Sequence, residues 1–267
     1  MTEEIERLAE QVRGLYQDIV AGHRSRIGRG RALWDQFEAA VVASCEGADA
    51  TGRQLTERVN ELAVAKKLAE DQHITGTIEY EPETLPDGRK IDFVAGRGDE
   101  NIYVEVKTVH PRTADNVATW DNYLRRRQHH PENVNFIVEQ DWMGAAMYGD
   151  TFASRSHFLE YTLEFETRLA AAKAIRGGPG ILVFCGNGFA WNLADLEDFA
   201  DYYHAGAHRQ DDAFALMEQH HIEHEGLQIL RNVDHFACLK RPVEQAKLEK
   251  FTIPVKGPRF WGPSIMA

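Results

Sequence analysis

The chain has 267 residues, of which 43% are hydrophobic and 10% aromatic, so it can bury a sizeable core and is not globally disordered. Its formal net charge of -12 excludes a surface coated throughout with nucleic-acid-binding charge, so any phosphate-binding surface has to be local. The longest apolar run, residues 181–185, is much shorter than the roughly 20 residues that a membrane-spanning helix needs.

The N-terminus and the cysteines bear on the compartment. The first residues are acidic, where a secretory signal would be basic and then apolar. Cys45, Cys185 and Cys238 are odd in number, lie far apart and form no zinc-binding pattern. We therefore expect a cytoplasmic protein with reduced core thiols and no membrane partner.

The first 50 residues are predicted to be an N-terminal helical region. Apolar residues recur at steps of three and four over residues 5–19 and again over residues 33–44, which predicts two helices through which two copies of the chain could form a homodimer. Between them, residues 23–31 form an arginine-dense connector. Arginines in a connector that also contains Gly and Ser suit phosphate contacts, although a solvated loop that pairs with local acids explains them equally well. The candidate nucleic-acid-binding residues here are Arg24, Arg26, Arg29 and Arg31.

A third helix follows a capping-box pattern at residues 51–54. Its inner stripe runs from Leu55 to Ala69 at helical spacing. Two acids, Glu57 and Glu61, share a line beside this stripe. Glu61 fits the helix pattern better, and both remain candidates for a functional acid.

The period then changes to that of β-strands. Residues 77–81 alternate weakly, and residues 90–95 and 102–108 are predicted to pair as a hairpin across a turn at residues 96–101. In the second strand of the hairpin, every second side chain shares a face, so Glu105 and Lys107 point the same way while Val104 and Val106 point into a core. The hairpin would also place Asp92, a lone acid among apolar neighbours, close to Glu105.

The remaining residues predict further helices and strands. Residues 134–139 and the continuous apolar run 181–185 are predicted strands, the second of a kind that is buried on both faces. Helices are expected over about 158–175, 193–203 and 211–223, and late strands over 227–230 and 235–239. A second group of candidate nucleic-acid-binding residues, close after two aromatic residues, comprises Arg125, Arg126 and Arg127.

The cluster on the predicted hairpin points to metal-dependent chemistry. Two carboxylates bind a hard divalent cation through oxygen, usually Mg²⁺, with Mn²⁺ as a substitute. Such a cation polarises a phosphate and lowers the pKa of a bound water. A neighbouring lysine stabilises the negative charge that develops during phosphodiester hydrolysis.

The stretch from Gly88 to Val94, with Asp92 in it, and the stretch from Tyr103 to Thr108, with Glu105 and Lys107 in it, resemble the PD-(D/E)xK nuclease superfamily. The order of elements agrees: helix with an acid, strand, strand with Asp, strand with Glu-x-Lys, helix, strand. The resemblance covers roughly residues 54–185, about half of the chain.

The resemblance implies an α/β protein with a restriction-endonuclease-like mixed central sheet flanked by helices. It also implies a Mg²⁺-dependent endonuclease that acts on DNA, although no residue distinguishes DNA from RNA. The implied catalytic residues are Asp92, Glu105, Lys107 and Glu61, with the three acids as metal ligands. We assign residues 51–190 to this nuclease-like core and residues 191–267 to a C-terminal extension of helices and strands packed on it.

Three alternatives stay open. The literal Pro86-Asp87 pair also fits the family spacing, but a solvated Pro-Asp-Gly turn explains Asp87 completely, so Asp92 is preferred. Glu105 and Lys107 could be a charge pair on a solvated sheet face, with Asp92 as an edge-strand charge that discourages aggregation. The same fold could also serve as a non-catalytic module that binds nucleic acid or a protein.

Overall fold

The protein is described by a computed structural model, and its described residues include six strands and five helices. The described residues are 5–7, 9–14, 16, 26–49, 53–72, 74–82, 85, 88–109, 154–186, 193–206, 213–226 and 229–240. The helices are α1 Gly30–Cys45, α2 Arg53–Glu70, α3 Ser154–Ile175, α4 Leu193–Ala205 and α5 Ala213–Glu225. The strands are β1 Ile27–Gly28, β2 Ile78–Tyr80, β3 Phe93–Arg97, β4 Glu100–Thr108, β5 Gly180–Gly186 and β6 His235–Lys240.

The six strands form one mixed sheet in the order β1-β2-β3-β4-β5-β6. The pairs β1–β2, β4–β5 and β5–β6 are parallel, whereas β2–β3 and β3–β4 are antiparallel. Long connections separate β4 from its parallel partner β5, and β5 from its parallel partner β6. Parallel strands need such crossover connections. The prediction of a mixed α/β sheet with helices is therefore confirmed.

Helices cover both faces of this sheet. On one face, Val104 and Val106 of β4 join a buried cluster that includes Leu62 of α2. On the other face, the hydroxyl of Tyr103 donates a hydrogen bond to the carbonyl of Arg176, at the end of α3, at 2.7 Å. The alternation of β4 thus assigns its even-numbered residues to the α2 side and its odd-numbered residues to the α3 side.

Strand β5 confirms the expectation of a strand that is buried on both faces. Residues 181–185 are fully buried, because β5 has a neighbour on each edge and lies in a sheet with helices on both sides. The three cysteines are free thiols, with Cys185 and Cys238 buried and Cys45 partly buried.

The chain divides into two compact units. The sheet unit consists of the described residues within 1–108, 164–187 and 231–267, and the helical unit of those within 109–163 and 188–230. In the helical unit, aromatic rings form the core, with the ring centroids of Phe158 and Phe199 5.7 Å apart and those of Phe199 and Phe214 5.2 Å apart. The units do not follow the segments 1–50, 51–190 and 191–267, since β1 and β6 pair into the same sheet as the central strands.

Several local predictions need correction. The arginine connector is not a loop throughout, because Ile27 pairs with Ile78 as part of β1 and α1 begins at Gly30. The hairpin turn is shorter than residues 96–101, because Gly98 adopts φ +58° and closes the turn together with Asp99.

Two more corrections concern strand ends. Asp92 lies immediately before β3 and not within it. Ile229 and Leu230, predicted as part of a late strand, belong to no strand. The predicted strand 134–139 lies outside the described residues, as do Arg24, Asp87, Arg125, Arg126 and Arg127. No described helix has both the length and the apolar character needed to cross a membrane.

Candidate active site

The hairpin β3–β4 brings Asp92 and Glu105 together. Phe93 pairs with Val104 in the antiparallel register, so the preceding Asp92 lies opposite Glu105. The backbone N–H of Asp92 points to Oε2 of Glu105 at 3.4 Å. The backbone N–H of Val106 donates to Oδ2 of Asp92 at 2.7 Å, which fixes the side chain of this acid against β4.

The environment of Asp92 disfavours its charged form. Burial raises the pKa of this carboxyl well above its ordinary value, and the negative charges of Glu105 and Glu61 raise it further. The N–H of Val106 and the ammonium of Lys107 act in the opposite direction and offset only part of this effect. Two carboxylates held this close in a poorly solvated place form a site that gains from added positive charge.

Lys107 supplies part of that charge from the same face of β4. Its Nζ lies 3.2 Å from Oε1 of Glu105, whose side chain is only 2% exposed, and 3.4 Å from a carboxylate oxygen of Glu164 on α3. Burial by itself lowers the pKa of Lys107, but the charges of Glu105 and Asp92 outweigh it and raise the pKa. The ammonium therefore stays protonated at neutral pH.

Arg168 on α3 is a member of this cluster that sequence reasoning missed. Its Nη2 lies 2.5 Å from Oε1 of Glu105, and its Nη1 donates to the carbonyl of Lys90 at 2.8 Å. The side chain is 15% exposed. The available signal was the spacing of Glu164 and Arg168, two opposite charges four residues apart on a helix that follows the Glu-x-Lys strand.

Glu61 acts on Asp92 through its charge, but its own hydrogen bonds go to other residues. It belongs to α2, on the face of the sheet opposite Glu105, and its carboxylate accepts hydrogen bonds from Arg58 at 2.6 Å and from the hydroxyl of Tyr80 at 2.9 Å. Burial raises the pKa of Glu61, against the lowering effect of Arg58. The alternative acid, Glu57, is partly buried on the same helix. A metal-binding role for either acid stays a prediction.

The described arginines of the connector make internal contacts. The guanidinium of Arg26 donates to the carbonyls of Ala69, at 2.7 Å, and of Ile74, and so ties β1 to the end of α2. Arg29 donates to a carbonyl at 2.6 Å, and Arg31, with a side chain that is 75% exposed, pairs with Asp35 on α1. Nucleic-acid binding by these residues stays a prediction, and Arg29 and Arg31 are both exposed.

The pair of carboxylates fits a hard divalent cation. Within the described ranges, no three His, Cys, Asp or Glu side chains form a group that could hold a metal ion. Mg²⁺ needs only one or two carboxylates, however, because it keeps several waters and takes further oxygens from a phosphate substrate. Oε2 of Glu105 is held only weakly by the N–H of Asp92 at 3.4 Å, a long contact that a cation could displace.

Comparisons of the chain with protein-family models, with curated proteins and with solved structures found no match. The residues and their geometry therefore carry the functional argument by themselves.

Proposed function

We propose that this chain is a metal-dependent nuclease of the PD-(D/E)xK type, with a restriction-endonuclease-like fold, that hydrolyses phosphodiester bonds in DNA. The observation that carries the proposal is the position of Asp92, just before β3, opposite Glu105 on β4, with Lys107 paired to Glu105 on the same face. The order of described elements from α2 through β2, β3, β4 and α3 to β5 supports it, since this is the order that the resemblance implies.

Each residue of the cluster has a distinct role in this proposal. Asp92 and Glu105 would hold the cation, which when bound supplies charge that polarises the phosphate and makes a neighbouring water more acidic. The ammonium of Lys107, protonated and held against Glu105, is positioned to stabilise negative charge that develops on the phosphate. The buried Val106 N–H keeps the Asp92 carboxylate in place, so the site is pre-organised before substrate arrives.

The experiment is a cleavage assay with four substrates: supercoiled plasmid, linear duplex DNA, single-stranded DNA and RNA. Each is incubated with Mg²⁺, with Mn²⁺ or with EDTA. We expect cleavage of DNA that requires metal. Asp92→Asn and Glu105→Gln should reduce the rate roughly 100-fold or more, because each removes charge at the reacting centre.

The same hairpin provides matched controls. Asp99→Asn changes an exposed acid in the turn, and Glu100→Gln changes an exposed acid at the start of β4. Both should keep the wild-type rate. If the wild-type protein cleaves none of the four substrates with either metal, the proposed activity is wrong.

The second candidate is a non-catalytic module that binds nucleic acid or a protein through the same fold. It is favoured by the two ion pairs of Glu105, whose buried carboxylate already contacts Lys107 and Arg168 through Oε1. In this case the chain binds DNA without metal-dependent cleavage, and Asp92→Asn leaves binding unchanged. The cleavage assay combined with a binding measurement separates the two functions.

A further inference from the structure

The contacts of Arg168 carry an inference that rests on the proposed function and extends it to substrate binding. Two cations, Lys107 and Arg168, converge on one oxygen, Oε1 of Glu105. One ion pair would be enough to balance that carboxylate. The second cation therefore points to a partner other than Glu105.

Charge counting at the site indicates what that partner is. Asp92 and Glu105 carry two formal negative charges, and Lys107 and Arg168 carry two positive ones. A divalent cation between the carboxylates would add two positive charges to this cluster and weaken the hold of Glu105 on Arg168, while Lys107 keeps its ion pair with Glu164. The loaded site then attracts an anion, and a phosphodiester is the anion of the proposed substrate.

The geometry of Arg168 suits this role. Its guanidinium is anchored through Nη1 on the carbonyl of Lys90, just before Asp92, while Nη2 faces Glu105. A planar guanidinium that is fixed on one side presents its remaining donors in a defined direction, which matches the geometry of phosphate oxygens. Because the side chain is 15% exposed, a ligand at the site can reach it.

We propose that Arg168 is a substrate-binding residue that contacts a backbone phosphate, and that Glu105 holds it in place until a divalent cation takes over the charge of that carboxylate. Arg168 and the cation neutralise the same group, so each weakens the binding of the other. Arg168 therefore lowers the affinity for metal and raises the affinity of the metal-loaded protein for nucleic acid.

The test uses Arg168→Gln in the full-length protein, with Arg97→Gln as the matched control. Arg97 forms an ion pair with Glu100 on the same hairpin, at 3.1 Å and away from the carboxylate pair. Two quantities are measured: the dissociation constant for Mn²⁺ alone by titration calorimetry, and that for a 25-base-pair DNA duplex in Ca²⁺ as a function of salt.

We expect opposite changes in Arg168→Gln. Mn²⁺ should bind roughly tenfold more tightly, because a competitor for Glu105 is gone. The duplex should bind roughly tenfold more weakly, with its log–log salt slope reduced by about 0.9, the value of one lost phosphate contact. A purely structural role for Arg168 would weaken both, and Arg97→Gln should change neither.

The outcomes are decisive. If the affinity of Arg168→Gln for Mn²⁺ falls or stays constant, Arg168 does not compete with the cation for Glu105. If its affinity for the duplex and its salt slope stay at wild-type values, Arg168 does not contact a phosphate. If Arg168→Gln does not fold, Arg168→Lys tests the proposal instead. This variant should keep the salt slope of DNA binding, because the positive charge is kept. It should bind Mn²⁺ more tightly than the wild type, because the guanidinium that contacts both Lys90 and Glu105 is lost. An inactive wild-type protein overturns the nuclease proposal, whereas an active one without these opposite changes overturns only the role of Arg168.

Discussion

Replacing Asp92 with asparagine should stabilise the metal-free protein while it removes activity. The pKa of Asp92 is raised well above its ordinary value, first by burial and then by the charges of Glu105 and Glu61. A carboxyl group with a raised folded-state pKa contributes stability below its ordinary pKa and loses that stability as the pH rises through the raised value. As the pH rises through the raised pKa, ionisation of Asp92 therefore destabilises the fold, and an uncharged amide of the same shape avoids this cost.

The magnitude follows from two opposing effects. Each unit by which the pKa is raised corresponds to about 1.4 kcal/mol of stability lost once the pH exceeds the raised pKa. In the variant, the hydrogen bond from Val106 no longer ends on a charged acceptor, which costs about 1 kcal/mol. The variant is therefore more stable than the wild type once the pKa of Asp92 is raised by more than about one unit. A gain of about 1 kcal/mol in the free energy of unfolding raises the melting temperature by about 2–4 °C in a protein of this size.

The assay is thermal unfolding in EDTA at pH 7.5 and again near pH 4, for the wild type, Asp92→Asn and the control Asp99→Asn. Asp92→Asn should melt above the wild type at pH 7.5, and the difference should be much smaller near pH 4, where the wild-type carboxyl is protonated in the folded state and about half protonated in the unfolded state. Mg²⁺ at pH 7.5 should stabilise the wild type and leave Asp92→Asn unchanged. A lower melting temperature for metal-free Asp92→Asn at pH 7.5 would refute the reasoning about charge repulsion.

Three further predictions concern pH, the choice of acid and the fold. The cleavage rate should rise with pH through an apparent pKa above the ordinary range of an Asp carboxyl, because Asp92 must be ionised to hold a cation; a rate that falls only within that ordinary range, at about pH 4 and below, would contradict this. Asp87→Ala should retain most of the cleavage activity and Asp92→Ala should lose it, and the reverse result in the plasmid assay would make the literal Pro-Asp pair the functional one. Gly178→Ala should destabilise the fold by about 3 kcal/mol or more in chemical unfolding, because an added Cβ would lie 1.7 Å from the carbonyl oxygen of Asn101 at φ +145°, whereas Gly177→Ala, with open space around its Cβ, should change little.

The sequence alone predicted the features that depend on local periodicity. The alternation in residues 102–108 placed Glu105 and Lys107 on one face, and the structure shows both on the α3 side of β4. The apolar run 181–185 was predicted as a strand buried on both faces, and it is. Both predictions needed only the two-residue period of a strand and the length of an apolar run.

The hairpin register was predicted in part. The length of the predicted hairpin indicated that Asp92 lies near Glu105. Only the pairing of Phe93 with Val104 in the structure places the two acids opposite one another. The two-residue turn at Gly98 and Asp99 sets that register, and a shift by one residue would have turned Asp92 to the other face. The convergence of the acids is thus a tertiary result that the sequence could only suggest.

The tertiary structure alone decided which charges surround the acids. Arg168 reaches Glu105 across 63 residues of sequence, and no local period connects an arginine on a helix to a carboxylate on a strand. Glu61 has the expected helical position, yet α2 packs on the opposite face of the sheet, where Arg58 and Tyr80 bind its carboxylate. Side-chain periodicity specifies the face of a helix or strand on which a residue lies. The packing of elements far apart in sequence specifies which residues that face contacts. The charge balance of this site depends on that packing, which the sequence periodicity does not reveal.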